Sequence, residues 1–320
     1  NVIEYITYST PGDSVDFGDA TAALYYRSGL SNGLRDRGVW AGGGPGTIVT
    51  MDYVTISTTA NAADFGDLTV GASSIGGASN GPDDRGVWIG GGAAATRTNV
   101  IDYITISSTG DAADFGDTFM NTLGDATTNA TNQRAVHMGS GANQDQGIMG
   151  FLTISTLGNS VHFGDSSVIS YYGGMTSNAQ NERGIHFHGY RRLPTPAGAT
   201  SEVDFITIST AGDALDWGNV ISQWHANQPA ASSNALNERG IVAGTYGADS
   251  TYYDDSIEHI TISTPGTAAE FGFLGSTGGG GGSNVSNTAT AGTVDSSFSR
   301  ITADRFSGVG TGITNINPSG

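Results

Sequence analysis

Hydrophobic and polar residues alternate in one short run that recurs six times along the chain. The copies read "YITYST", "YVTIST", "YITISS", "FLTIST", "FITIST" and "HITIST". Ile and aromatic residues alternate there with Thr and Ser, and a period of two is typical of a β-strand that buries one face. The pattern therefore predicts six equivalent strands, at residues 5–10, 53–58, 103–108, 151–156, 205–210 and 259–264.

Two further elements follow each run in a fixed order. A turn rich in Gly and Asn, which tolerate positive φ, leads into a short "DFGD" strand with its aromatic at Phe17, Phe65, Phe115, Phe163, Trp217 and Phe271. A run that ends in glycines comes next, "DRGVWAGGG" at 36–44, with counterparts at 84–92, 133–141, 182–189, 238–247 and 304–312. The aromatics lie 48 to 54 residues apart, a period that indicates a propeller or a solenoid.

The two ends of the chain carry complementary parts of one repeat. The N-terminus begins with a "YITYST" strand that no "RGVW" strand precedes, and the C-terminus ends with an "RG" strand that no "YITIST" strand follows. A solenoid would need polar caps, whereas a ring leaves only short, protected strand edges. We therefore predict an all-β fold, a six-bladed β-propeller closed by pairing of the N- and C-terminal strands. It forms one domain over residues 1–320, with repeats near 1–50, 51–100, 101–147, 148–202, 203–256 and 257–320.

The repeat resembles the kelch-type β-propellers, in which a hydrophobic strand runs into glycines and an aromatic follows once per ~50 residues. The string "IDYITISSTGDAADFGD" at 101–117, flanked by "RGVW" and glycines, is also similar to propeller-like repeat proteins encoded by marine phages. That resemblance implies a virion-associated protein of a tail fibre or another host-facing appendage. It also implies a virion localisation and other virion proteins as partners.

The amino-acid composition argues against two classes of binding partner, nucleic acids and membranes. The chain has 30 acidic residues and 12 basic ones, all Arg, for a net charge of −18. This balance argues against nucleic-acid phosphates and anionic membrane surfaces, and no apolar stretch approaches the length of a membrane span. The first residues show no leader peptide, so we expect a processed chain or a piece of a longer one.

The residue types present exclude several chemistries. Without Cys there is no disulfide, thiolate zinc site or cysteine nucleophile. Without Lys the "DFG" strings cannot serve a kinase, and a P-loop or a Schiff-base enzyme is excluded as well. We expect no catalysis and no cofactor. The alternative is a carbohydrate-active enzyme whose paired carboxylates lie at the channel of the propeller.

Two metal hypotheses are weaker than their structural alternatives. His186 and His188 of "HFH" lie two apart and could share one face of a strand and a metal, but His137 and His186 stand at or near the place of Trp40 and Trp88 in other repeats and are explained as ordinary blade residues. The Asp residues of "DFGD" could bind calcium, although capping of the turn explains them as well. We predict no metal site.

One Arg recurs in every repeat: Arg37, Arg85, Arg134, Arg183, Arg239 and Arg305. Six guanidinium groups in a ring could hold an anion in the channel. Because the feature occurs in every repeat, we favour a structural role in which each Arg pairs with a carboxylate of a "DFGD" turn.

Repeats four and five have the longest connections, and repeat proteins vary their loops where they bind. Aromatic and polar side chains that suit a sugar or a protein surface cluster in them: Tyr190, Arg191, Arg192, Trp224, His225, Tyr246, Tyr252 and Tyr253. The sequence thus predicts an adhesive module that binds a host-surface glycan or protein. A purely architectural decoration of a capsid or tail is a further alternative.

Overall fold

The computed structural model describes residues 1–93, 96–122, 124–141, 144–193, 198–221, 229–246, 253–274, 281–286, 297–298 and 301–304. Five sheets share one design, with four antiparallel strands in chain order, called A to D here. Strand A of each sheet packs against strand A of the next. The A strands therefore surround the centre of the molecule, and the D strands lie outermost.

The first three sheets comprise residues 28–165. Sheet 1 consists of β3 (Ser28–Ser31), β4 (Arg37–Ala41), β5 (Ile48–Thr55) and β6 (Ala63–Ala72). Sheet 2 consists of β7 (Gly76–Ser79), β8 (Arg85–Ile89), β11 (Val100–Thr105) and β12 (Ala113–Asp117), with β9 (Gly92–Ala93) and β10 (Thr96–Arg97) paired apart from it. Sheet 3 consists of β13 (Ala126–Thr128), β14 (Arg134–Gly141), β15 (Gln144–Thr153) and β16 (Val161–Asp165).

The next two sheets comprise residues 174–273. Sheet 4 consists of β18 (Gly174–Ser177), β19 (Arg183–Phe187), β22 (Glu202–Thr207) and β23 (Leu215–Asn219), with β27 (Gly266–Thr267) along its edge. Sheet 5 consists of β24 (Ala230–Ser233), β25 (Arg239–Tyr246), β26 (Tyr253–Thr261) and β28 (Ala269–Phe273). A separate three-stranded sheet, the accessory sheet, is formed by β17 (Ile169–Tyr171), β20 (Tyr190–Leu193) and β21 (Gly198–Ala199).

The chain ends share a sheet of different order. It contains β1 (Val2–Ile6), β2 (Val15–Asp19), β29 (Gly281–Ser286), β30 (Ser297–Phe298) and β31 (Ile301–Asp304). β1 pairs with β31 in parallel, with Tyr5 opposite Ala303, and β29 packs against the A strands of sheets 5 and 1. The predicted partner segment at 304–312 falls mostly outside the described residues.

The same backbone contact joins each D strand to the following C–D turn. Six amides donate to six carbonyl oxygens at 2.8 to 2.9 Å: Ala62 to Asp19, Ala112 to Asp67, Ser160 to Asp117, Ala214 to Asp165, Ala268 to Asn219, and Ser14 to Phe273. The central Gly of "DFGD" permits this approach, since a Cβ on Gly66 would lie 2.4 Å from the Gly110 oxygen. The last of the six bonds connects sheet 5 to the N-terminal hairpin.

The hydrophobic pattern predicted strand C only in part. Strand C begins before the "YITIST" run and ends at its Thr, so the following Ile-Ser-Thr forms the turn. The turn is held because the Ser57 amide donates to Asp36 at 2.8 Å and Ile56 is fully buried. The "DFGD" strand is present as predicted, and the unpaired Phe17 forms a β-bulge that buries its ring.

Because neighbouring strands run in opposite directions, the connections between them lie on two opposite faces of the molecule. The A–B and C–D turns form the regular face, where a 3₁₀ helix recurs at Gly33–Arg35, Gly81–Asp83, Ala130–Asn132, Ala179–Asn181 and Ala235–Asn237. The B–C and D–A connections form the variable face. The hydrogen-bonded blades do not begin where the sequence repeats begin. Each blade starts with strand A and the "RGVW" strand B, whereas each sequence repeat starts with the run that lies in strand C.

Candidate functional site

The recurring Arg side chains bind the neighbouring sheet on the regular face. Arg37, Arg85, Arg134 and Arg183 lie 4.3 to 4.9 Å over the aromatic ring that begins the "YITIST"-type run of their own sheet. With Arg239, they donate to one turn carbonyl of the next sheet at 2.6 to 3.4 Å, namely that of Ile106, Ile154, Ile208, Ile262 and Tyr8. The guanidinium groups therefore have carbonyl and ring partners where the sequence predicted a "DFGD" carboxylate. Arg305 lies outside the described residues.

A second inter-sheet contact was missed from the sequence. Asn32, Asn80, Asn129 and Asn178 each donate to the acid or Gln before the Arg of the next sheet, at 2.9 to 3.0 Å. That acceptor residue adopts φ of 68 to 74°, which is uncommon outside Gly. The available signal was an Asn five residues before each recurring Arg except Arg305. These contacts give the regular face a structural role in all five sheets.

The described ligand-binding candidates lie on the variable face. Tyr190, Arg191 and Arg192 belong to β20 of the accessory sheet, and the backbones of Tyr246 and Tyr253 pair at the ends of β25 and β26. Trp224, His225 and Tyr252 lie outside the described residues. Sheets 4 and 5 are neighbours, so the structure brings the described candidates to adjacent parts of one face.

Arg191 is the one candidate with a described charged partner. Its guanidinium lies 3.4 Å from both carboxylate oxygens of Glu202, which also accepts a hydrogen bond from Thr200. The side chains of Arg191 and Glu202 are 21% and 41% exposed, so solvent screens this pair. A ligand can reach both groups.

Beneath the accessory sheet lies a buried polar cluster at the junction of sheets 3 and 4. His186 Nε2 lies 3.2 Å from Asp125 Oδ2, and His188 Nε2 lies 3.0 Å from Asp204 Oδ2. His188 Nδ1 lies 2.8 Å from the hydroxyl of Ser170 in β17. The two imidazole centroids are 4.2 Å apart. The predicted shared face of "HFH" is present, but each ring faces its own carboxylate.

Burial is the largest influence on the pKa values of His188, Asp125 and Asp204 in this cluster. It lowers the pKa of His188, and the nearby His186 lowers it further. Burial raises the pKa of Asp125. For Asp204 burial acts in the same upward direction, but His188 and the hydrogen bonds from Ser167 outweigh it and hold the pKa at about 2. Asp204 is therefore ionised at neutral pH. Within the described part of the chain, three metal-ligating side chains do not come together anywhere.

Comparison with known proteins defines the fold. No family model matches the chain, and no curated protein matches it. A chain in the crystal structure of a nidogen/laminin complex superposes with a TM-score of 0.50 at 9% identity, over 82% of this chain and 88% of that one. The chain is a β-propeller. At this identity the likeness shows the fold alone.

Five four-stranded blades of the propeller are described. In the parts of the chain that the structure describes, no helix is long and apolar enough to cross a membrane.

An acidic residue recurs just before each "YITIST"-type run except the one in blade 3. Glu4 of β1 is buried, and so are its counterparts in strand C, namely Asp52, Asp102, Asp204 and Glu258. In blade 3 the position is Gly150, and the ring of His137 fills the space that a side chain would occupy. His137 contacts Ser160 at 3.0 Å, and burial lowers its pKa to about 4. Some of these carboxylates accept hydrogen bonds from strand D or from the D–A connection that follows it. Asp102 accepts from the amide of Thr69 in β6 at 2.9 Å, and Asp204 accepts from the amide of Ser167 at 2.9 Å.

Proposed function

We propose that the chain is a non-catalytic, six-bladed β-propeller that acts as a structural and adhesive module of a virus particle. In this role it belongs to a phage fibre or appendage, contacts other virion proteins, and binds a host-surface glycan or protein with its variable face. The observation that carries the proposal is the division between the two faces. On the regular face, the same Arg contact recurs in all five described blades and the same Asn contact in four of them, whereas the described candidate residues and the accessory sheet lie on the variable face.

The sixth blade and the closed ring are part of this proposal. The Ser14 amide donates to the Phe273 carbonyl at 2.9 Å, as in the five other junctions. Arg239 donates to the Tyr8 carbonyl, as the other Arg side chains do to the next blade. Both contacts support closure between blade 5 and the N-terminal hairpin. A closed ring presents the variable loops as one continuous rim.

A protein partner has support from the fold comparison. The structural neighbour was crystallised as part of a nidogen/laminin complex. A glycan has support from the chemistry of the candidates, because tyrosine and tryptophan stack on sugar rings while arginine binds their polar groups. The test therefore includes both ligand classes.

The first prediction concerns binding by the variable face. Tyr190→Ala combined with Arg191→Gln should weaken binding of the purified chain to host cells and to a glycan array by at least about tenfold, the scale of one anchor residue. The same loss is expected for alanine at Trp224, Tyr252 and Tyr253. Binding is read by fluorescence on the array and by flow cytometry on the cells.

The matched control for this prediction lies on the opposite face. Leu34 is 61% exposed and the Arg35 side chain 55% exposed, both in a 3₁₀ helix of the regular face. Leu34→Ala combined with Arg35→Gln removes a large side chain and one charge, and it should leave binding unchanged. If this control loses binding while the variable-face variants keep it, the assignment of the faces is wrong.

A further inference from the structure

A buried imidazole is one of the contacts between the accessory sheet and its blade. Ser170 pairs with Arg191 in the ladder between β17 and β20, and its hydroxyl lies 2.8 Å from His188 Nδ1. His188 follows strand B of blade 4, and its amide donates to the Glu202 carbonyl of strand C. The contact between Ser170 and His188 thus links the accessory sheet to the body of blade 4, in addition to the pair that Arg191 forms with Glu202.

This imidazole belongs to a network that also joins two blades. β17 packs against β14 and β15 of blade 3, and Asp125, which precedes strand A of that blade, lies 3.2 Å from His186. His186, His188, Asp125, Asp204 and Ser170 are each at most 6% exposed. A charge gained by one of these buried side chains is costly unless its neighbours rearrange to pair with it or to admit water.

The neighbours of His188 determine how it responds to a proton. The titratable groups around it are His186 on the same strand end, and Asp204 and Glu202 of β22. Asp204 already accepts hydrogen bonds from the amide and the hydroxyl of Ser167, and Glu202 is paired with Arg191. Burial and the second imidazole oppose a charge on His188, and they outweigh the attraction of these carboxylates.

Protonation of His188 therefore favours an opened form of the cluster, in which its imidazole is exposed to water. An imidazole in water has a pKa near 6.5, and the enclosed His188 has a lower one. Opening of the cluster takes up a proton at any pH below about 6.5, so the opened form gains population as the pH falls. Above that pH both forms hold a neutral imidazole, and the closed form retains its full stability.

We propose that proton uptake by His188 releases β17 and β20 from the blade, so that mild acid controls how Tyr190 and Arg191 are presented. This regulation rests on the proposed function, since it acts on the same variable face. Near neutral pH the accessory sheet is held against the junction of blades 3 and 4. Below about pH 6.5 it opens progressively.

Amide hydrogen exchange of the full chain tests the proposal in the absence of any ligand. Between pH 7.5 and pH 5.0, after correction for intrinsic exchange rates, the opening constant of residues 169–171 and 190–193 should rise by up to about 30-fold for one imidazole. Strand C of blade 2, Val100–Thr105, serves as the internal reference and should change much less. His188→Gln should remove the pH dependence of the accessory sheet, because the amide does not titrate.

Two comparisons keep the result decisive. His162 is exposed on β16 with a side chain 59% accessible, and His162→Gln should keep the pH profile of the original chain. Imidazole NMR of the unmodified chain should show His188 titrating together with the loss of protection, which holds even if His188→Gln folds poorly. A pH profile shared with Val100–Thr105, or one that persists in His188→Gln, overturns the proposal. Because no ligand is used, this outcome leaves the binding function to be judged by its own experiment.

Discussion

Alanine at Gly272 should destabilise the propeller about as much as alanine at Gly164. A Cβ on Gly164 would lie 2.1 Å from the Gly212 oxygen, and one on Gly272 would lie 2.2 Å from the Gly12 oxygen. Both contacted oxygens belong to the backbone, which cannot relieve the clash by a change of rotamer. Each substitution should cost about 3 kcal/mol of unfolding free energy, as expected for overpacking in a rigid contact.

The comparison separates a closed ring from an open arc. Gly164 contacts the next blade within the chain, whereas Gly272 contacts the N-terminal hairpin, so only Gly272→Ala depends on closure. Gly12→Ala is the control, because a Cβ there meets no atom within 4 Å, and it should be nearly neutral. Urea unfolding of the three variants provides the measurement. An open ring would give a costly Gly164→Ala beside a neutral Gly272→Ala.

The sequence predicted those strands that carry a distinctive residue pattern. In strand C, buried and exposed residues alternate within the predicted run, as at Ile104 and Thr105, and strand D is marked by the bulged aromatic at Phe17 and its five equivalents. Strand A gave no such signal. It has three or four residues, most of them small, that are all buried, as in Ser28–Ser31, so alternation does not occur. A short run of this kind is indistinguishable from a loop in the sequence alone.

The candidate site shows the same division. The position of each recurring Arg was predicted, but its partner was not, because a backbone carbonyl such as that of Ile106 carries no side-chain signal. The "HFH" pair was predicted to share a face, and its rings do lie together. Its partners Asp125 and Ser170 come from irregular D–A connections. Because Asp125 and Ser170 are distant in sequence from His186 and His188, the sequence did not reveal that the four side chains form one cluster.

Replacing Asp52 with Asn should cost about 3 to 5 kcal/mol, the usual penalty for leaving one member of a buried ion pair without its partner. The Asp52 carboxylate lies 2.5 Å from the Arg27 guanidinium, and the two side chains are 0% and 5% exposed. Burial lowers the pKa of Arg27, and Asp52 opposes this effect. The carbonyls of Trp40 and Thr50 accept from the same guanidinium at 3.3 and 3.4 Å, but they carry no negative charge.

Asp102 supplies the matched control, since it occupies the same position in blade 2 as Asp52 does in blade 1. It accepts hydrogen bonds from the amide and hydroxyl of Thr69, and burial raises its pKa. Asp102→Asn keeps one carbonyl acceptor and should cost only about 1 kcal/mol. The double variant Arg27→Met with Asp52→Asn should recover much of the loss, because it removes the unpaired charge as well. Equal costs for Asp52→Asn and Asp102→Asn in calorimetry would show that Arg27 does not depend on its carboxylate.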